Sequence, residues 1–139
     1  MLFYLDTCII IYAVEGQPAF RQRAQAHIAA LESAGHRFLI SELTHTECLV
    51  KPLGAMDGAL LLEYATFFLG PNLISIPLTA AVHERAALIR GRYRYTTNKS
   101  YSLADALHLA SAVESRCERF LTNDLRLSAF PDLTVEVLP

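Results

Sequence analysis

Short apolar runs alternate with helix-patterned stretches along the whole chain, and this alternation restricts the fold more than any other feature. Leu2 to Leu5, Phe38 to Ile40, Leu73 to Ile76, Phe120-Leu121 and Thr134 to Val137 read as strands. The first intervening helix is predicted from Thr7 to about Val14 behind an Asp6 cap, and the second opens at Pro18, runs through Ser33 and is closed by Gly35. Ser41 caps a helix through Val50 that Pro52 ends, and Met56 to Leu69 is a helix stopped by Gly70-Pro71. Thr79 caps a helix to Arg90, and Ser102 starts the last one. Short buried strands joined by helical crossovers require a parallel sheet covered on both faces. The expected fold class is therefore α/β, a three-layer α/β/α domain with a central, mostly parallel sheet of four to five strands.

With 139 residues the chain is read as one domain, 1–139, without repeats or linkers. Hydrophobic residues make up 53% of it and charged residues 19%, yet no apolar run approaches the roughly 18 to 20 residues of a membrane span. The apolar N-terminus lacks a basic leader and is interrupted by Asp6, so it is not read as a signal peptide and a cytoplasmic location is expected. Cys8, Cys48 and Cys117 form no CxxC pair and sit in apolar stretches, as buried reduced thiols do.

Two of the predicted strands deliver a carboxylate at their C-terminal end, Asp6 after Leu5 and Asp124 shortly after Leu121. In parallel sheets that edge is where ligands collect. Glu47 stands at i+4 from Leu43 and three before Val50, a spacing that sets it on a core-facing stripe, with an edge position as the alternative. Asp105 belongs to a helix with almost no polar face; Ser102-Leu103-Ala104-Asp105 also has the spacing of a capping box, so capping and chemistry both stand for it. Singly, Asp6 and Asp124 read equally well as caps or turn formers. All four, however, belong to one sheet edge if the strands are parallel, and adjacent like charges at ~4 Å repel by about 4 kcal/mol at an effective dielectric of ~20. A hard divalent cation such as Mg²⁺ or Mn²⁺ relieves that repulsion and keeps water in its open positions.

The segments Asp6-Thr7, Ser41 to Cys48, Ala104 to Ala110 and Leu121-Thr122-Asn123-Asp124 resemble the motifs of the PIN domain. Length and motif order are similar to those of VapC-like toxin ribonucleases of toxin-antitoxin pairs, over essentially the whole chain. The resemblance implies a PIN-like domain in which Asp6, Glu47, Asp105 and Asp124 are catalytic and hold Mg²⁺ or Mn²⁺, while Thr7 and Thr122 support the site. It implies a metal-assisted endoribonuclease acting on RNA phosphodiester bonds, an antitoxin protein as partner, and a homodimer. Cys8 departs from the Asn or Ser common at its position in that family.

The formal net charge of −2 does not advertise a nucleic-acid binder, but five of twelve basic residues, Arg85, Arg90, Arg92, Arg94 and Lys99, are clustered. Arg90, Arg92, Arg94 and Lys99, interleaved with Tyr93 and Tyr95, are candidates for phosphate contact and base stacking; the alternative is a solvated helix end whose cations favour the helix C-terminus. Leu60, Leu61, Tyr64, Phe67 and Phe68 give the fourth helix more apolar surface than one sheet face needs, which suits core burial or a dimer or antitoxin contact. His108 is expected to be packed and hydrogen-bonded. Neither His108 with Asp105 nor His45 with Cys48 has a second pair at zinc-ligand spacing, and no nucleophile elbow accompanies Ser111. Two rivals remain: a PIN-like module that binds RNA or protein without cutting, and a receiver-like Mg²⁺-binding signalling domain. The latter fits less well, since Asp6 stands alone and no Lys follows Phe120.

Overall fold

The computed structural model describes residues 1–96 and 100–138. Its strands β1 (Leu2–Leu5), β2 (Arg37–Ser41), β3 (Leu73–Ile76), β4 (Arg119–Thr122) and β5 (Thr134–Val137) form one sheet in the order β3-β2-β1-β4-β5, with every neighbouring pair parallel. The crossovers carry α1 (Thr7–Glu15), α2 (Pro18–Ser33), α3 (Glu42–Gly54), α4 (Gly58–Phe68), α5 (Ala80–Thr96) and α6 (Leu103–Glu114). No helix of the described residues is long and apolar enough to cross a membrane.

Alternation along the strands divides the interior into two cores. Phe3, Leu5, Phe38, Ile40 and Leu121 pack with Ile9, Ile10 and Ala13 of α1, Ala24 and Ile28 of α2, Cys48 of α3 and Tyr64 of α4. Tyr4, Leu39 and Phe120 face the other way, onto Val82, Ala86 and Ile89 of α5 and Ala106, Leu109 and Ala110 of α6. Successive strand residues point to opposite faces, so a strand covered on both sides must be apolar throughout, as β1 is. Three layers result.

Strand order fixes the site. From β1 the chain moves outward to β2 and β3, then returns across the sheet to lay β4 on the other side of β1 and continues to β5. The reversal leaves a crevice beyond the C-terminal ends of β1 and β4, the position where open α/β sheets bind ligands. Asp6 follows β1 directly, and its backbone N–H extends the pairing to Leu121 of β4 at 2.9 Å.

Several boundaries differ from expectation. α3 runs to Gly54 and contains Pro52, because a proline in the last turn removes only one intrahelical bond there. Ser41 precedes α3 but makes no capping bond with its side chain; its Oγ is buried without a partner among the described residues. α4 starts at Gly58 behind an Asp57 cap rather than at Met56, whose φ of 51° is not helical. α5 continues past Arg90 to Thr96, held by Tyr93 against Tyr101 and Phe130. A 3-10 turn, Leu125–Ala129, follows Asp124, whose carboxylate accepts from the Arg126 N–H. On α4, Tyr64 is buried and Leu60, Leu61, Phe67 and Phe68 are half-buried, so the large apolar groups left exposed are Leu62 and, just past the helix, Leu69.

Candidate metal centre

Asp6 is held from three directions. Its Oδ1 accepts the Thr7 N–H at 2.9 Å, capping α1, and its Oδ2 accepts the Thr122 hydroxyl at 2.7 Å. The Cys8 thiol lies 3.5 Å from the same oxygen and 3.6 Å from the Thr122 hydroxyl, and accepts the Asn123 N–H at 3.5 Å. Cys8 is therefore half-buried at the site and not a core thiol, unlike Cys48 and Cys117. Burial and the Asp6 charge push its thiol up to about 12, so the sulfur is protonated in the metal-free site. Thr122 also accepts the Asp124 N–H at 3.1 Å, which ties the last motif to the first.

Asp105 sits in the first turn of α6, where Ser102 Oγ accepts its N–H at 3.0 Å. The Ser102 half of the capping box is thus real, but the Asp105 carboxylate makes no bond back to the Ser102 N–H among the described residues. Burial raises its pKa, the charges of Asp6 and Asp124 raise it further, and the Ser102 bond and Arg126 oppose them without prevailing. Asp105 thus lies within electrostatic reach of both other aspartates.

Asp124 is drawn to its own neighbour. Arg126 donates Nε to Oδ1 at 3.0 Å and Nη2 to Oδ2 at 2.6 Å, and this fork holds the Asp124 carboxyl below its usual range. The arginine side chain is 80% exposed, so the fork is free to swing away.

Glu47 is offset from the other three. On α3 the buried positions are Thr44, Cys48 and Pro52, while Val50 is exposed, so the core stripe runs one residue off the predicted one and Glu47 lies at its edge with a third of its side chain exposed. Its Oε1 accepts the Thr7 hydroxyl at 2.9 Å and meets His108 Nε2 at 2.5 Å. Burial raises its pKa, but the hydrogen bonds from His108 and Thr7 work against this, and it is held below the ordinary value. Thr7, between Asp6 and Glu47, is the bridge between the two halves of the site.

Among the described residues, no three His, Cys, Asp or Glu side chains stand close enough to share an ion as placed. The donor set nevertheless fits Mg²⁺ or Mn²⁺: its acids offer hard carboxylate oxygens, and such ions are commonly held by one or two carboxylates with several waters.

The basic segment divides. Arg92 and Arg94 are exposed on the last turns of α5, and Arg90 donates Nε to the Tyr101 carbonyl at 3.1 Å. Tyr93 packs edge-on against Tyr101 with ring centroids 4.7 Å apart and is not free to stack on a base; Tyr95 is exposed. Lys99 lies outside the described residues. Sequence reasoning missed Arg126, Tyr4 and the site role of His108. Arg126 had a local signal, two residues from Asp124, whereas Tyr4 reads only as part of an apolar strand.

A model of the PIN domain matches residues 3–133 of the chain. No curated protein sequence matches it. Its fold is similar to a chain in the structure of VapBC2 from Rickettsia felis bound to a DNA fragment from its promoter, with a TM-score of 0.78 and 18% identity over 99% of this chain and 98% of that one. It is also similar to a chain in DNA-bound VapBC from Salmonella typhimurium, with a TM-score of 0.75 and 22% identity over 99% and 98%. A third similar structure is Mycobacterium tuberculosis VapC20, a sarcin-ricin loop cleaving toxin, with a TM-score of 0.67 and 15% identity over 95% and 98%.

Proposed function

The chain belongs to the PIN domain family, and we propose that it is a Mg²⁺- or Mn²⁺-dependent endoribonuclease, the cytoplasmic toxin of a VapBC-type toxin-antitoxin pair. The observation that carries the reading is the state of Asp105: half-buried at the edge of the sheet, within the fields of Asp6 and Asp124, and pushed up by burial and by those two charges against the weaker pull of Ser102 and Arg126. Such a carboxylate is short of positive counter-charge, and perturbed acids of this kind cluster at functional sites. Similarity to chains in VapBC assemblies and to a sarcin-ricin loop cleaving toxin supports the antitoxin partner and the cleavage of RNA.

Asp6, Asp105 and Asp124 would hold the cation, with Glu47 bounding the site from α3. When bound, the cation supplies water activation and charge stabilisation on a phosphodiester. The residues do the rest. Thr122 and the Thr7 N–H fix both oxygens of Asp6, so that this carboxylate needs no reorganisation when substrate arrives. Arg126 is exposed beside Asp124 and can exchange its carboxylate for a substrate phosphate, to which a guanidinium binds equally well. Arg92 and Arg94 extend the positive surface along α5 and hold flanking phosphates. The exposed Leu62 of α4 and Leu69 just beyond its end are offered for the antitoxin or a second copy of the chain.

A PIN-like module that binds RNA or protein without cutting is favoured by one observation, the capture of Asp124 by Arg126 with no three ligands converged. Incubating total cellular RNA with the purified protein and Mg²⁺, Mn²⁺ or EDTA, beside Asp6→Asn, decides between them. Discrete metal-dependent fragments absent from the variant establish the nuclease. Intact RNA with well-folded, antitoxin-free protein leaves the binding module.

A further inference from the structure

The buried Tyr4–His108 pair has no part in the proposed chemistry, yet it ends on Glu47. Tyr4 is fully buried in β1 and His108 is 1% exposed in α6. The Tyr4 hydroxyl accepts the Ser41 N–H at 3.2 Å and lies 2.7 Å from His108 Nδ1; at its far side His108 Nε2 lies 2.5 Å from Glu47 Oε1 and 3.3 Å from the Thr7 hydroxyl. Burial leaves the phenol no water to donate to, and buried donors are almost always paired.

We infer that Tyr4 and His108 are positioning residues for Glu47: the Tyr4 hydroxyl donates to Nδ1, which fixes His108 as its Nε2–H tautomer, and Nε2–H with the Thr7 hydroxyl pins Glu47 Oε1. Glu47 Oε2, which takes no hydrogen bond among the described residues, is thereby left for the cation or its water shell. The second half of this inference rests on the metal-centre reading above; the tautomer does not.

Chemistry excludes the opposite tautomer. With the proton on Nδ1, an imidazole lone pair would face a carboxylate at 2.5 Å, a repulsive contact in a site closed to solvent on the His108 side. The tautomer of a histidine is set by the bond its other nitrogen makes, as for histidines that support metal sites. Position is set as firmly. The Tyr4 ring stacks on Phe120 at 5.2 Å with 4° between planes, and the His108 ring meets Tyr4 edge-on at 5.7 Å. Tyr4 also lies two residues before Asp6, and His108 three after Asp105. One strand and one helix therefore each supply a carboxylate and a brace for the carboxylate on α3.

The test uses the full chain without RNA. Long-range ¹H–¹⁵N spectra of the His108 ring are expected to show a single proton on Nε2, lost or redistributed in Tyr4→Phe; a proton on Nδ1, on both nitrogens, or no response to Tyr4→Phe overturns the tautomer lock. Mn²⁺ affinity, read by electron paramagnetic resonance, is expected to fall about tenfold or more in His108→Leu. His108→Gln, which keeps an N–H donor toward Glu47, recovers most of it, and adding His108→Leu to Glu47→Gln weakens binding no further. Wild-type Mn²⁺ affinity in His108→Leu beside weakened binding in Glu47→Gln overturns the positioning role. Absence of Mn²⁺ binding by the wild type instead overturns the metal-centre reading and, with it, the role assigned to Oε2, while the spectra still decide the lock. If His108→Leu does not fold, Tyr4→Phe, which removes a single oxygen, carries the same affinity comparison.

Discussion

The Thr122 hydroxyl donates a 2.7 Å hydrogen bond to Asp6 Oδ2 across 116 positions of sequence, and through it the first and last motifs become one site. The contact exists because β1 and β4 are neighbours in the sheet, with Leu5 opposite Leu121. Thr122→Val keeps the shape and removes the donor, leaving a buried carboxylate oxygen and the Asp124 N–H short of a partner. It should lower stability by about 1 to 3 kcal/mol and reduce cleavage at least tenfold, measured by urea denaturation and by turnover of a defined RNA.

Asp105 should show a conflict between stability and activity. An acid whose pKa is raised on folding costs stability wherever it is ionised, and the cost disappears as pH falls through the raised value. Asp105→Asn removes that cost, so without metal at neutral pH it should melt a few degrees above wild type while losing cleavage entirely. Added Mg²⁺ should raise the melting temperature of the wild type and not of the variant, read by calorimetry with and without EDTA.

Glu47 carries the opposite sign. Its pKa is lowered on folding, chiefly by His108 against the effect of burial, so its stabilising contribution is complete above the ordinary carboxylate range and is lost as pH falls through the lowered value. Wild type should therefore lose stability faster than Glu47→Gln on going from about pH 5 toward pH 3. Parallel denaturation midpoints for the two proteins over that interval would contradict the assignment.

Under the proposed function, Arg126 would compete with the cation for Asp124. Arg126→Gln should free the carboxylate and lower the Mg²⁺ concentration for half-maximal cleavage, while raising the KM for RNA through loss of a phosphate contact. A Mg²⁺ titration at saturating RNA separates the two effects, and an unchanged midpoint would show that the fork does not obstruct the site.

Arg92 and Arg94 are exposed on α5 and remote from the core. Reversing both to Glu should weaken RNA binding at low salt and make the salt dependence shallower by about one unit of slope per lost phosphate contact. Fluorescence anisotropy over a salt series checks this, with a far-ultraviolet spectrum to confirm that the fold is retained.

Much of this protein is legible in one dimension because its rules are local. Apolar runs too short for helices could only be buried strands, Pro18 and Gly35 mark the ends of α2, and Asp6, Thr79 and Ser102 cap helices where the pattern places them. Local rules failed where distant packing intervened. α5 outruns its expected end because Tyr93 finds Tyr101 and Phe130, and the same contact withdraws Tyr93 from base stacking. The stripe of α3 turns by one residue because Thr44 and Cys48 are its buried positions while Leu43 is half-buried and Val50 exposed, which moves Glu47 from the core to its edge.

The sequence by itself determined the α/β class and the approximate strands and helices, since periodicity and capping are written residue by residue; it also singled out the four acids as candidates, while Thr7 and Thr122 were implied by the resemblance to the PIN domain. Only the tertiary structure decided that Thr7 bridges Asp6 to Glu47, that the Cys8 sulfur lies between Asp6, Thr122 and Asn123, that Arg126 occupies Asp124, and that Tyr4 reaches Glu47 through His108. Except for the Arg126 fork and the contacts of Thr7 and Cys8 with Asp6, those relations depend on which strands become neighbours and on hydrogen bonds a few ångströms long, and neither quantity has a local signature in the chain.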